Sequence, residues 1–274
     1  MKLFFRKLGQ GKPLFILHGL FGLSDNWNTV GKILSPTPAI SASWLEGEKN
    51  ISTYLIDLRN HGSSPHSDEW SYTAMANDIL ELQEDEKLEK IILMGHSLGG
   101  KVAMQFSAMY PEKLEKLIVV DMAPKDYPGN QFPFIEKLLT IDLAEMKNRK
   151  EAEVELRKII KDEATIQLLL KNIHWNEQEK LEWKFNLQVI AENQDKIGKT
   201  FTLGEKQITT PTLFIRGEKS NYVVNSDTAE IKKHFSDSEI KTIAGAGHWV
   251  HADKPKEFAV AVKDLFIPKV LKNN

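Results

Sequence analysis

Ser97 is framed as Gly95-His96-Ser97-Leu98-Gly99, after an apolar run at 91–94 and before a helix-like segment at 98–110 that Pro111 stops. Strand, tight turn and helix in that order are the setting a Gly-x-Ser-x-Gly nucleophile elbow requires. The turn asks for strained backbone angles at the serine, and the glycines let strand and helix close around it. It lifts the hydroxyl into a cleft. It also places it at a helix N-terminus, where N–H groups and the helix dipole favour negative charge. Such a serine is equipped to attack a carbonyl carbon. A plain N-cap serine is the alternative, and the strand and helix on either side argue against it.

Attack by serine needs a base and donors for the oxyanion. His18-Gly19-Leu20-Phe21-Gly22 follows the apolar run 13–17, so its turn can aim a backbone N–H into the same cleft. Leu20 is the expected donor and Phe21 the near alternative. The N–H of Leu98, next after the nucleophile, is the second donor. The chain has eight histidines, at 18, 61, 66, 96, 174, 234, 248 and 251. The chain order that accompanies such an elbow puts the base last. His248 in Ala244-Gly245-Ala246-Gly247-His248-Trp249 has two glycines to fold its loop over the sheet. His251, close behind it, is the competitor without that turn. His18, His61 and His96 read as turn-stabilising residues, and His66, His174 and His234 as surface residues.

Five apolar runs must position these groups: 13–17, 52–56, 90–94, 116–120 and 212–215. Each is nearly continuous, the pattern of strands buried on both faces of a parallel sheet. Helix-like segments at 72–87, 98–110, 225–235 and 255–266 alternate with them, which predicts a doubly wound α/β sheet. The alternation breaks between about 123 and 210. That stretch predicts helices at 134–143, 151–161 and 164–170, with a weak strand signal at 183–185. The expected organisation is a core of 1–122 and 208–274, with 123–207 as a helical cap. Residues 35–50, with Pro36 and Pro38, read as an irregular loop.

The formal net charge is -2, with 36 basic and 38 acidic residues. That balance gives no reason to expect nucleic acid or an acidic membrane as a partner. With no cysteine, disulfides, thiolate metal sites and a cysteine nucleophile are excluded. The N-terminus lacks the apolar core of a signal peptide, and no run approaches the ~20 residues that span a bilayer. The expectation is a soluble cytoplasmic protein, monomer or weak homodimer, acting on a small molecule.

Taken together, several motifs resemble the bacterial YbfF-type esterases of the α/β-hydrolase superfamily. They are His18-Gly19-Leu20-Phe21-Gly22, Asp57-Leu58-Arg59-Asn60-His61-Gly62-Ser63-Ser64, Gly95-His96-Ser97-Leu98-Gly99-Gly100-Lys101, Val120-Asp121-Met122-Ala123-Pro124 and Ala244-Gly245-Ala246-Gly247-His248-Trp249-Val250-His251-Ala252. The resemblance spans nearly the whole chain and implies an α/β-hydrolase fold: a mostly parallel sheet flanked by helices, with a helical cap. It implies hydrolysis of carboxylic esters, extending to acyl-CoA thioesters, with no metal or organic cofactor. Other reactions on the same triad, or a receptor that has lost catalysis, are the alternatives. The usual acid position, after the run 212–215, reads Arg216-Gly217-Glu218-Lys219-Ser220-Asn221-Tyr222-Val223 and holds no Asp. Asp121 ends the strand next to the nucleophile's, facing the same cleft. It is the expected orienting acid for His248, with Ser220 as auxiliary partner, and the resemblance supports both. Asp57, Arg59 and His61 read as a self-locking loop with a local ion pair. Phe21, Trp183 and Phe185 are the expected substrate-lining side chains, with Trp175, Phe132 and Phe134 further aromatics of the same region.

Overall fold

The apolar runs pair side by side into one seven-stranded sheet, in the order Phe5–Leu8, Ile51–Ile56, Lys12–Leu17, Ile91–His96, Leu114–Val120, Thr212–Gly217 and Ser238–Ile243 from edge to edge. The computed structural model describes residues 1–35, 50–128, 132–199 and 207–266. The strands are β1 (Phe5–Leu8), β2 (Lys12–Leu17), β3 (Ile51–Ile56), β4 (Ile91–His96), β5 (Leu114–Val120), β8 (Thr212–Gly217) and β9 (Ser238–Ile243). All neighbours are parallel except the edge pair β1 and β3. β3 and β4 are buried along their whole length, which is why they read as unbroken apolar runs. β1 gave no such signal. It is a four-residue, partly exposed strand carrying Arg6 and Lys7, as an edge strand often is.

Successive side chains of each strand go to opposite faces. Phe15, Leu17, Leu93, Leu117, Val119 and Phe214 pack with α2 (Tyr72–Asp85) and α3 (Leu98–Met109). Leu14, Ile16, Ile92, Met94, Ile118 and Ile215 pack with α1 (Asn28–Leu34) and α11 (Pro255–Lys263). The register aligns Leu17 with Gly95, His96 with Val120, Val120 with Ile215 and Gly217 with Ile243. The loops after β2, β4, β5, β8 and β9 therefore leave one edge together, and Leu20, Ser97, Asp121, Ser220 and His248 each lie on one of them.

Between β5 and β8 the chain leaves the sheet. It forms α4 (Ile135–Leu138), α5 (Arg149–Ile159), α6 (Glu163–Lys171), the hairpin β6 (Ile173–Trp175) with β7 (Leu181–Trp183), α7 (Leu187–Glu192) and α8 (Gln194–Ile197). Asn148 accepts the N–H groups of Lys150 and Glu151, and Asp162 that of Thr165. These N-caps explain why two of the expected helices start within two residues of their predicted places. The helix expected over 134–143 stops after one turn. The weak strand signal at 183–185 belongs to 181–183, whose partner strand is too short to show a period. Short helices α9 (Thr228–His234) and α10 (Val250–Asp253) complete the core. The loop expected at 35–50 lies almost wholly outside the described residues.

The insertion shares a hydrophobic cluster with the core, and directed hydrogen bonds orient it. Asn172 Nδ2 donates to the Phe21 carbonyl (2.7 Å), and Asn186 N–H to the Asn60 carbonyl (2.9 Å). It thus sits over the loops that follow β2 and β3. Its return segment is held by Tyr72, whose hydroxyl donates to the Ile197 carbonyl (2.6 Å). Lys101, on α3 one turn after Ser97, donates from Nζ to the carbonyls of Gly198 (2.7 Å), Lys199 (2.6 Å) and Lys125 (3.5 Å). Both ends of the insertion thus meet on one buried ammonium. Burial pulls the Lys101 pKa down to about 8, so the charge persists at neutral pH.

Candidate active site

Ser97 joins β4 to α3 at φ 52° and ψ -115°, a left-handed conformation that a non-glycine residue adopts only when its surroundings enforce it. Three backbone bonds do so. Ser97 N–H donates to Val120 (3.1 Å), Lys101 N–H to Ser97 (3.1 Å) and Gly99 N–H to His18 (3.1 Å). A Cβ at Gly95 would lie 2.0 Å from the Gly99 carbonyl oxygen, and one at Gly99 would lie 2.5 Å from that of His18. Neither site admits a side chain, so the motif's glycines are steric requirements of the turn.

Asp121 is fully buried and also takes a positive φ, 48°. Its carboxylate has three donors. Oδ1 accepts from Gly217 N–H (3.1 Å), and Oδ2 accepts from His248 Nδ1 (2.7 Å) and from the Ser220 hydroxyl. Because Nδ1 carries the proton, Nε2 of His248 is left as the basic nitrogen. The histidine loop is fixed from beneath. His96 Nε2 donates to the His248 carbonyl (2.9 Å), Gly245 N–H to Glu218 (2.8 Å) and Gly247 N–H to Asp253 (2.8 Å). Glu218, on the usual acid loop, therefore serves the glycine turn, while Ser220 serves the acid. Ser97 and His248 are not hydrogen-bonded to each other here; His96, the residue before Ser97, has its ring 4.7 Å from that of His248. Such bonds often form only with substrate in place. The competing His251 is buried and stacked on Trp27 (3.9 Å, 14°), away from Asp121, and burial pushes its pKa down to about 3.

The loop after β2 is organised by two neutral histidines. His61 Nε2 accepts the Phe21 N–H (3.2 Å) and Nδ1 donates to the Arg59 carbonyl (3.0 Å). His18 Nε2 accepts the Leu58 N–H (3.1 Å) and Nδ1 donates to the Gly19 carbonyl (2.8 Å). Burial lowers their pKa values to about 3 for His61 and about 4 for His18. Phe21 N–H is thus already engaged. Among the described residues the N–H groups of Leu20 and Leu98 have no acceptor. Asp57 accepts from Ser24 N–H (2.6 Å) and Ser63 N–H (2.8 Å), as a self-locking loop should. The local ion pair expected there is a longer tie. Arg59 forks onto Asp78 of α2 (2.6 and 2.9 Å) and reaches Glu69 (3.2 Å).

Phe21 and Phe185 are buried, with ring centroids 4.9 Å apart. Phe132 and Phe134 flank Phe21 at 6.3 and 6.1 Å, and Trp183 stacks on Phe185 at 5.0 Å. The sequence-predicted aromatics thus form one cluster against the β2 loop. Trp175 does not join it and is 51% exposed. Two participants escaped the sequence reading. Lys101 had a signal, a cation inside an apolar helix. Tyr222, stacked on His248, had none. Among the described residues no three His, Asp or Glu side chains converge as a metal would need, and no helix is long and apolar enough to cross a membrane.

Residues 12–255 match the family model described as the alpha/beta hydrolase fold. The chain belongs to the α/β-hydrolase family. Within it, the chain is 31% identical over 258 residues to esterase YbfF of Escherichia coli, covering 93% of this chain and 92% of that protein. It is 36% identical over 255 residues to the mouse sn-1-specific diacylglycerol lipase ABHD11, covering 91% and 79%. Among solved α/β-hydrolase structures, a marine microorganism esterase superposes with a TM-score of 0.88 at 40% identity, covering 97% of this chain and 99% of that one. The sheet, its flanking helices and the esterase resemblance expected from the motifs agree with these findings.

Proposed function

We propose that this α/β-hydrolase is a carboxylesterase that works through an acyl-enzyme on Ser97. The observation that carries the reading is the Asp121 carboxylate bonded to His248 Nδ1 at 2.7 Å, beside a serine elbow. Esterases and lipases among its relatives support the class of reaction. His248 Nε2 takes the Ser97 proton as Oγ attacks the ester carbon. The N–H groups of Leu20 and Leu98 hold the oxyanion, each worth about 3–4 kcal/mol in the transition state. The imidazolium then protonates the leaving alcohol, and water, activated by the same nitrogen, releases the acid. Asp121 fixes the tautomer and stabilises the imidazolium, and Ser220 fixes the carboxylate. The acyl chain is of short to medium length and lies against Phe21, Trp183 and Phe185.

Ser97→Ala is expected to lower hydrolysis of p-nitrophenyl butyrate by about 10⁴-fold or more and to abolish labelling by a fluorophosphonate. Wild-type activity in that variant would remove the reading. A series of p-nitrophenyl esters from acetate to palmitate, run beside the matching acyl-CoAs, sets chain length and separates ester from thioester preference.

A further inference from the structure

Tyr222 stands two residues after Ser220 on the loop that follows β8, and it makes the closest ring contact of His248. The two ring centroids are 3.6 Å apart and the planes 16° from parallel. The tyrosine is held on both sides of its peptide. Its N–H donates to Ser220 Oγ (3.2 Å), and its carbonyl accepts from the Tyr127 hydroxyl (2.8 Å). That hydroxyl in turn accepts the Ala123 N–H (2.9 Å), two residues after Asp121. One turn of chain therefore touches both the acid, through Ser220, and the base, through Tyr222.

We propose that Tyr222 is a positioning residue for His248: its ring face fixes the plane of the imidazole and stabilises the imidazolium that forms in each acyl-transfer step. This rests on the reading of His248 as the base. The physical ground is the aromatic quadrupole, whose negative face attracts a cation lying over it. The groups that face His248 are few. Asp121 comes from the end of β5, Ser220 and Tyr222 from the loop after β8, His96 from the end of β4, and Trp249 and His251 from its own loop and α10. His96 and His251 are held neutral by burial. The imidazolium charge is therefore met by one carboxylate and one aromatic face.

The test is the pH profile of kcat/KM for p-nitrophenyl butyrate in wild type, Tyr222→Phe and Tyr222→Leu. Phe keeps the ring face, and its acid limb is expected to superpose on that of wild type. Leu keeps the site covered and apolar but lacks the quadrupole. Its acid limb is expected to move to lower pH by about half a unit to one unit, with kcat down about tenfold and KM within about twofold. An unshifted limb in the Leu variant overturns the proposal, as does equal impairment by Phe or a change confined to KM. Thermal unfolding checks that the variants fold, and Tyr222→Met replaces Leu if that variant does not. An NMR titration of the His248 ring in a Ser97→Ala background reads the same shift without turnover. Failure of the underlying reading looks different: His248→Ala would then retain hydrolysis whatever stands at 222.

Discussion

The two oxygens of Asp121 serve three donors at once, and only one of those donors is the histidine. An Asp121→Asn change places an amide among three donors, which forces one of its own N–H groups toward Ser220 or His248 and destroys the tautomer the base needs. The expected loss in kcat is about 10³–10⁴-fold. Glu218→Gln keeps an acceptor for Gly245 N–H and is expected to cost less than about tenfold. Kinetics on one ester decides it, and a reversal of the two effects would return the acid to the loop after β8. The Ser97 turn and the meeting of Asp121 with His248 were legible because each residue sits where local geometry restricts the residue type: an elbow, a strand end, a glycine turn. The engagement of the Phe21 N–H was not, since it depends on His61 reaching across from another loop to accept it. Tyr222 was hidden for the same reason. A stack between two loops leaves no period and no motif.

At the scale of elements, the long helices and the both-face-buried strands were read from their apolar runs, and the short pieces of the insertion were not. A three-residue strand such as β6 is defined by its partner rather than by its own pattern. The way the insertion is fastened was equally invisible, because Lys101 binds carbonyl oxygens, which any residue can supply. Lys101→Met keeps the volume and leaves the carbonyl of Lys199 without its donor. Losing a hydrogen bond from a charged donor costs roughly 1.5–3 kcal/mol. Amide hydrogen exchange around Tyr127 and Ile197 is expected to quicken accordingly, while β4 and β5 stay protected. Equal loss of protection throughout the sheet would mean that Lys101 supports the core rather than the insertion.

For the whole molecule, the buried neutral histidines set an acid limit. His18, His61 and His251 are lowered by burial from 6.5 to about 4, 3 and 3. Below pH 6.5 the unfolded chain takes up protons that the folded chain refuses. The stability these residues contribute is therefore complete above about pH 6.5 and lost as pH falls toward 4–3. Each steepens the loss by about 1.4 kcal/mol per pH unit. Urea unfolding at pH 7.5, 5.5 and 4.5 measures it, and a flat profile would contradict the burial assigned to them. The fold class followed from the alternation of runs alone, but this limit did not, since histidine burial is a property of the packed sheet edge.

Lys101 adds a consequence of another kind. The residue is 1% exposed, so an acylating reagent meets its amine only when the return segment lifts from α3. Its modification rate, followed by peptide mass mapping, is then a clock for that opening, and substrates that hold the insertion closed will slow the clock in proportion to their occupancy.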